Sequence, residues 1–178
     1  MQKYTIKDIK TKTYGSDTLK ETLLESVKDE NEIIYNPSYT NYGGSFVDKV
    51  LIEWAKKYHS SDIIFESTSW GGQNAYIFGE TAKDIPDDFY YMDDFYELYD
   101  EMDEELRKDA VNDILSEMEI DDDDLSSDIA DAIDIALSEY GQPCPNSYDY
   151  CTPKIIERVE SVLSDEKDIE ISIKDYMK

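Results

Sequence analysis

Carboxylates are the side chains in this sequence best able to do chemistry, because they outnumber every other ionisable group. The chain of 178 residues has 43 Asp and Glu, 17 Lys and Arg and 1 His, which gives a formal net charge of −26. Such groups bind divalent cations, work in pairs as acid and base on glycosides, or present negative charge to a positive partner. Their abundance makes a chance pair uninformative, so their spacing has to decide between these roles.

A metal site is not favoured by the spacing. An EF-hand loop starting at Asp121 would need an acid and then a glycine at its fifth and sixth positions, where this chain has Leu125 and Ser126. Zinc sites need spaced pairs of Cys and His, but His59 is the one histidine and there are 2 cysteines. We therefore expect no metal and no other cofactor. Cys144 and Cys151 are predicted to be free thiols or a pair that closes a loop.

Nucleophilic catalysis is not indicated either. His59 is followed by Ser60 and Ser61, but adjacent residues of these types do not form a catalytic triad. The segment Gly43-Gly44-Ser45 precedes a predicted helix but lacks the lysine of a phosphate-binding P-loop, and Ser45 is explained as a helix cap. The sequence predicts that the protein is not an enzyme.

The negative charge is concentrated in the second half of the chain. Residues 1–83 have a net charge of −2 and residues 84–178 one of −24, and the stretch 84–139 has 23 acidic and 2 basic residues. A halophilic protein would spread acid over its whole surface, so this layout favours one surface that meets a positive partner. Nucleic acid and anionic lipid carry the same sign of charge, which argues against direct binding of either.

The elements that position these carboxylates are predicted to be helices. Apolar residues recur every three to five positions from Phe89 to Met118, and again from Leu125 to Tyr140. Asp121–Asp124 suit the N-cap and first turn of the second helix, and Gly141 suits its end. Tyr90, Tyr91, Tyr96 and Tyr99 lie among the acids, where packing and interface roles are equally open.

The remaining patterns predict an α+β fold, with a small N-terminal sheet and helices followed by an acidic, mainly helical half. We expect an α+β region of near-neutral charge at 1–83 and an acidic helical region at 84–141. Residues 142–178 are predicted to form a loop, a helix and a C-terminal strand that packs back on the N-terminal sheet, in one compact domain. Predicted strands are Lys3–Ile9, Glu32–Tyr35, Asp62–Ser67, Gln73–Gly79 and the alternating Ile169–Lys174. Predicted helices outside the acidic half are Ser16–Lys28, Ser45–Tyr58 and Ile155–Leu163.

The charge density of the acidic half is high enough to compare with DNA. Fully helical, residues 84–139 would span about 84 Å, and two antiparallel helices would carry roughly one net charge per 2 Å of length. Duplex DNA carries one charge per ≈ 1.7 Å of axis. Carboxylates four residues apart lie about 6 Å apart along a helix, similar to the spacing of phosphates in a strand.

In composition and layout the segments from Asp87 to Glu105 and from Asp121 to Asp134 resemble acidic DNA-mimic inhibitors, a class often encoded by phages and mobile elements with anti-restriction or anti-CRISPR roles. The resemblance implies a protein that blocks a basic nucleic-acid-binding protein such as a nuclease. The first residues form no apolar leader and no apolar run is long enough to span a bilayer, so we expect a cytoplasmic, non-membrane protein, either monomer or dimer. The side chains predicted to contact that partner are Asp87, Asp88, Asp93, Asp94, Glu97, Asp100, Glu101, Glu104, Asp121, Asp122, Asp123, Asp124, Asp128 and Asp131.

Two other functions fit the sequence. An immunity protein or antitoxin that neutralises a basic toxin would show the same salt-sensitive, one-to-one binding. An enzyme or small-ligand binder with incidental acidity would instead have a pocket in the less charged half, near Gly43, His59, Trp70 and Asn74.

Overall fold

The protein has an α+β fold that divides into two compact units, Met1–Asp100 and Glu101–Lys178. The computed structural model describes residues 2–5, 21, 24–25, 33–36, 45–59, 62–67, 73–78 and 85–177. The division falls inside one long helix.

The first unit is built on a four-stranded antiparallel sheet. Its strands are β1 (Gln2–Thr5), β2 (Ile33–Asn36), β3 (Asp62–Ser67) and β4 (Gln73–Phe78), in the spatial order β1-β2-β4-β3. Strands β3 and β4 pair over their full length, from Asp62 opposite Phe78 to Ser67 opposite Gln73. This pairing confirms the predicted hairpin, and β2 confirms the predicted short strand.

Helix α1 (Phe46–His59) packs beside β3 and β4. It begins as the sequence predicts, because the backbone N–H of Asp48 donates to Ser45 Oγ at 3.2 Å and that of Ser45 donates to Asp48 Oδ2 at 3.3 Å. Its buried face includes Val50, Leu51 and Trp54, each at most 1% exposed. Burying this face against the sheet gives the first unit a hydrophobic core.

The acidic half begins with a short 3-10 helix (Phe89–Tyr91), followed by helix α2 (Asp93–Ser116). Phe95 and Leu98 are the buried residues of α2 in the first unit, and Ala110, Val111 and Ile114 are those in the second. The predicted amphipathic helix is therefore confirmed, with a buried side in both units.

The second unit adds helix α3 (Asp123–Tyr140), the hairpin β5 (Gln142–Cys144) and β6 (Ser147–Asp149), helix α4 (Thr152–Lys167) and a 3-10 helix (Ile173–Asp175). Helix α3 packs most closely on α4. The hydrophobic core of the second unit lies between α3, α4 and the end of α2. The fully buried side chains of this core include Ile129, Ile133, Leu137, Val159 and Leu163.

Both ends of α3 fall where the sequence places them. Asp122 is the N-cap, and its carboxylate accepts from the N–H of Leu125 at 3.0 Å. Gly141 ends the helix with an extended backbone, at φ −103°. A Cβ at Gly141 would overlap the ring of Tyr148, so close packing, rather than a left-handed backbone, explains this glycine.

The predicted C-terminal strand at Ile169–Lys174 is wrong. Residues 168–172 have no regular structure, and a 3-10 turn follows. The alternating isoleucines instead pack on the helices: Ile173 is fully buried, and Ile169 and Ile171 are partly buried against the same core. The N–H of Ile173 donates to Glu160 Oε1 at 2.8 Å, so a side chain replaces a neighbouring strand as its partner.

Residues 142–149, predicted as loop, form the β5–β6 hairpin, in which Cys144 lies opposite Ser147. Both Cys144 and Cys151 are free thiols, so the predicted pair that closes a loop is not formed in the structure.

Several predictions fall on other residues. The predicted helix at Ser16–Lys28 lies mostly outside the described residues, within which Glu21, Leu24 and Glu25 are helical. Residues 6–9 of the first predicted strand and the turn at 70–72 also lie outside them.

Candidate functional site

The candidate site in the second unit is a row of carboxylates on one face of α2. We name it the acidic ridge: Glu101, Glu105, Asp109 and Asp113. All four side chains are exposed. Because they are four residues apart, they lie about 6 Å from one another along the helix and span about 18 Å. Glu104 is also exposed and lies one residue before Glu105.

The ridge is unfavourable for the helix that carries it. Like charges four residues apart destabilise a helix by about 0.2–0.5 kcal/mol per pair. Within the described part of the chain, no ion pair joins Glu105, Asp109 or Asp113 to a cation. Residues that destabilise their own helix without a compensating contact are typical of functional surfaces.

The two basic residues of α2, Arg107 and Lys108, differ in their position relative to the ridge. Arg107 turns to the other side, where its Nη1 lies 2.9 Å from Asp103 and its Nε lies 2.8 Å from Asp134 on α3. Burial alone would lower the pKa of Arg107, but the hydrogen bond and the charge of Asp134 outweigh it and raise that pKa. Arg107 is therefore a structural cation, and Lys108 is left exposed beside the ridge.

Tyr148 of β6 belongs to the same cluster, because Arg107 and Asp103 both act on the pKa of its hydroxyl. Burial is the main cause that raises the pKa of its hydroxyl, and the charge of Asp103 adds to it. This cluster links α2, α3 and β6, so its side chains stabilise the fold of the second unit.

The acids of α3 are engaged within the protein. Asp122 is the N-cap, and Asp123 and Asp124 lie in the first turn, where negative charge is favourable. Further along, Lys167 of α4 lies 2.8 Å from Asp128 and 3.6 Å from Asp131. The hydrogen bond and charge of Asp128 raise the pKa of Lys167.

Glu139 forms the last of these links. Arg158 of α4 donates two hydrogen bonds to its carboxylate, at 2.8 and 2.9 Å. The hydrogen bond from Arg158 lowers the pKa of Glu139. Both side chains line an open cleft of about 540 Å³. Its lining residues are Glu139, Tyr140, Lys154, Glu157, Arg158 and Ser161.

In the first unit, exposed acids surround a group of aromatic rings. Asp87, Asp88, Asp93, Glu97 and Asp100 are exposed. Asp94 differs from them: it is half-buried, and its Oδ1 is buried without a hydrogen-bond partner. Asp94 therefore faces inward with at least one oxygen.

The aromatic rings of this region form a connected set around α1 and the start of α2. Phe95 is fully buried and meets Trp54 at 5.8 Å and Phe89 at 5.0 Å between ring centroids. Tyr99 packs edge-on against Phe46 at 4.9 Å. These contacts make Tyr99 a packing residue, whereas Tyr91 is 75% exposed and Tyr96 is 39% exposed.

The structure thus separates the predicted contact residues into two sets. In the first set, Asp94 is half-buried, Asp122 caps α3, Asp123 and Asp124 lie in its first turn, and Asp128 and Asp131 pair with Lys167. Of these six, Asp122, Asp123, Asp124 and Asp131 are also exposed. The second set consists of exposed residues at other places in the acidic half: Asp87, Asp88, Asp93, Glu97, Asp100, Glu101, Glu104 and Asp121. Sequence reasoning missed Glu105, Asp109 and Asp113, although their four-residue spacing from Glu101 was available as a signal.

The close antiparallel pairing of two acidic helices is not found. Helix α3 packs chiefly on α4, and α2 meets it through core side chains and the Arg107–Asp134 pair. Helix α2 alone carries 10 acids and 2 bases over about 36 Å, or roughly one net charge per 4.5 Å. That is near the one charge per 3.4 Å of a single DNA strand and below that of a duplex.

Other kinds of site are not seen in the described residues. No group of three or more His, Cys, Asp or Glu side chains in these ranges is placed to hold a metal ion. No helix in the described part of the chain is long and apolar enough to cross a bilayer. No family model matches the chain, and comparison with curated proteins and with solved structures found no match.

Proposed function

We propose that this protein is a stoichiometric inhibitor that mimics the charge of DNA and blocks the nucleic-acid-binding site of a DNA-acting enzyme, a nuclease of restriction or CRISPR type. The observation that carries this proposal is the acidic ridge, whose four carboxylates are exposed on one helix face. An ordered row of this kind complements a basic groove without the need for catalysis.

The order of the scaffold supports the proposal. The ridge lies on a helix whose opposite side is buried through Ala110, Val111 and Ile114. A pre-ordered surface loses less conformational entropy on binding than a flexible acidic tail would. Ion pairs also hold two acids of α3, Glu139 and Asp128, against Arg158 and Lys167 of α4.

The charge balance of the second unit favours a positively charged partner. The second unit, 101–178, has 24 acidic and 7 basic residues. Of the basic residues, Arg107, Arg158 and Lys167 are held in internal ion pairs. What remains at the surface is negative, which attracts basic proteins and repels nucleic acid.

The test is inhibition of purified nucleases of the two types. Each enzyme is mixed with its DNA substrate and increasing amounts of the protein. We expect at least one enzyme to lose cleavage at a one-to-one ratio, with activity restored by excess duplex DNA. Affinity should fall about tenfold or more between 50 and 200 mM salt. Undiminished cleavage by every enzyme at a large excess of protein would refute the proposal.

A further inference from the structure

Three tyrosines of the first unit form a surface cluster, which we name the tyrosine cluster: Tyr90, Tyr91 and Tyr96. The ring of Tyr90 lies at the centre, with its centroid 5.8 Å from that of Tyr91 and 5.3 Å from that of Tyr96. Tyr90 is also packed beneath, at 5.6 Å from the buried ring of Phe95. The cluster is therefore fixed to the core through one ring and presents the other two.

Packing does not account for the two outer rings. The core already contains Trp54, Phe89 and Phe95 in mutual contact. Tyr91 is 75% exposed and Tyr96 is 39% exposed, so most of the Tyr91 side chain stays in water. Adjacent exposed aromatic rings are typical of binding surfaces, where tyrosine is enriched.

Carboxylates lie within reach of the same rings. Asp93 and Asp100 are three residues before and four residues after Tyr96 on α2, so all three side chains share one helix face. Asp93 and Asp100 are both exposed. Burial, the neighbouring tyrosines and the charge of Asp100 raise the pKa of Tyr96, which keeps its hydroxyl neutral. In the described residues, no Lys or Arg stacks on these three rings.

We propose that the tyrosine cluster binds the guanidinium group of an arginine of the protein partner, with the ring faces of Tyr91 and Tyr96 against the cation and the carboxylates of Asp93 and Asp100 as hydrogen-bond acceptors. This inference rests on the proposed function, because it names a contact of the same inhibitor with its basic partner.

Arginine fits this surface better than lysine does. Its planar guanidinium stacks on an aromatic ring and at the same time donates to carboxylates in the plane of the group. A cation within about 6 Å of a ring centroid is attracted by the negative face of the ring. Lysine, with a compact and strongly hydrated ammonium, gains from the carboxylates but less from stacking.

The test compares two peptide probes, hexa-arginine and hexa-lysine, which carry equal charge. Both are titrated into the full chain at low salt, and binding is followed by calorimetry and by the NMR signals of the tyrosine rings. We expect hexa-arginine to bind about five to ten times more tightly than hexa-lysine and to shift the ring signals of Tyr91 and Tyr96.

Matched variants identify the source of that preference. Tyr91→Leu with Tyr96→Leu removes both rings and should reduce the preference for arginine to less than about twofold. Tyr91→Phe with Tyr96→Phe keeps the rings and should keep the preference. Circular dichroism shows whether each variant is folded. A preference that the leucine variant retains, or equal binding of both peptides to the parent, would overturn the inference.

The proposed function is tested separately by Glu105→Lys with Asp109→Lys, which should weaken both peptides to a similar extent. If this variant weakens binding but the leucine variant does not, the tyrosine inference fails and the proposed function stands. If only the leucine variant matters, the cluster binds arginine and the ridge is not the charged contact.

Discussion

Neighbouring aspartates in the run Asp121–Asp124 have different roles at the residue scale. Asp122 caps α3 through the N–H of Leu125, and Asp123 and Asp124 lie in its first turn. The sequence predicted this, because an aspartate run before an apolar period is a local signal. Ion pairs such as Asp128 with Lys167, which lie 39 residues apart, were not predictable because they depend on how α3 and α4 pack.

The first prediction concerns the cap. Asp122→Ala should lower the free energy of unfolding by about 1 kcal/mol, because it leaves an N–H at the start of α3 without its acceptor. The matched control is Asp121→Ala, which removes the same charge one residue before the cap. Urea denaturation of both variants measures the difference. Equal losses would show that charge, not capping, is the role of Asp122.

The second prediction concerns Glu139 and pH. Its pKa is lowered below the usual 4.5 by the hydrogen bond from Arg158, so the charged form is favoured in the folded state. The stability from this pair is therefore present above the unfolded pKa and is lost as pH falls through the lower, folded pKa. Glu139→Gln should lower the melting temperature at pH 7 and have a smaller effect at pH 3. A difference that is unchanged at pH 3 would contradict this.

At the scale of secondary-structure elements, hydrophobic periodicity predicted helix α2 correctly and residues 169–173 wrongly. The amphipathic period of α2 was visible in the sequence, and its burial confirms it at Phe95, Val111 and Ile114. The alternating Ile169–Ile173 gave a false strand, because alternation of this kind buries the same side chains against helices as against a sheet. Period alone does not identify the partner surface.

The third prediction concerns the cost of the ridge. Glu105→Lys replaces two repulsions, with Glu101 and Asp109, by two attractions at helix spacing, and it replaces one attraction, with Lys108, by a repulsion. The net effect should stabilise the protein by about 0.4–1 kcal/mol at low salt. Glu105→Gln removes the two repulsions and the one attraction and should give about half that gain. Urea denaturation at low and high salt measures both. A loss of stability for Glu105→Lys, or a gain that salt does not reduce, would show that the ridge is not under repulsion.

At the scale of the whole molecule, the uneven charge was plain from the sequence, with a net charge of −24 in residues 84–178. The sequence did not show which of those acids are free of internal ion pairs, because pairing with Arg107, Arg158 and Lys167 depends on tertiary contacts. Ion pairs engage Asp128, Asp131, Asp134 and Glu139 of α3. In the described residues no ion pair engages Glu105, Asp109 or Asp113, which lie in one row on α2.

The most direct test of that account is the affinity of two charge-matched variants for an inhibited nuclease. The ridge variant has Glu105, Asp109 and Asp113 changed to Lys, and the control has the exposed Glu157, Glu166 and Glu170 changed to Lys. Net charge changes equally in both. We predict that the ridge variant loses about 100-fold in affinity and the control less than about fivefold. Equal losses in the two variants would contradict the account, because binding would then depend on total charge and not on the ridge.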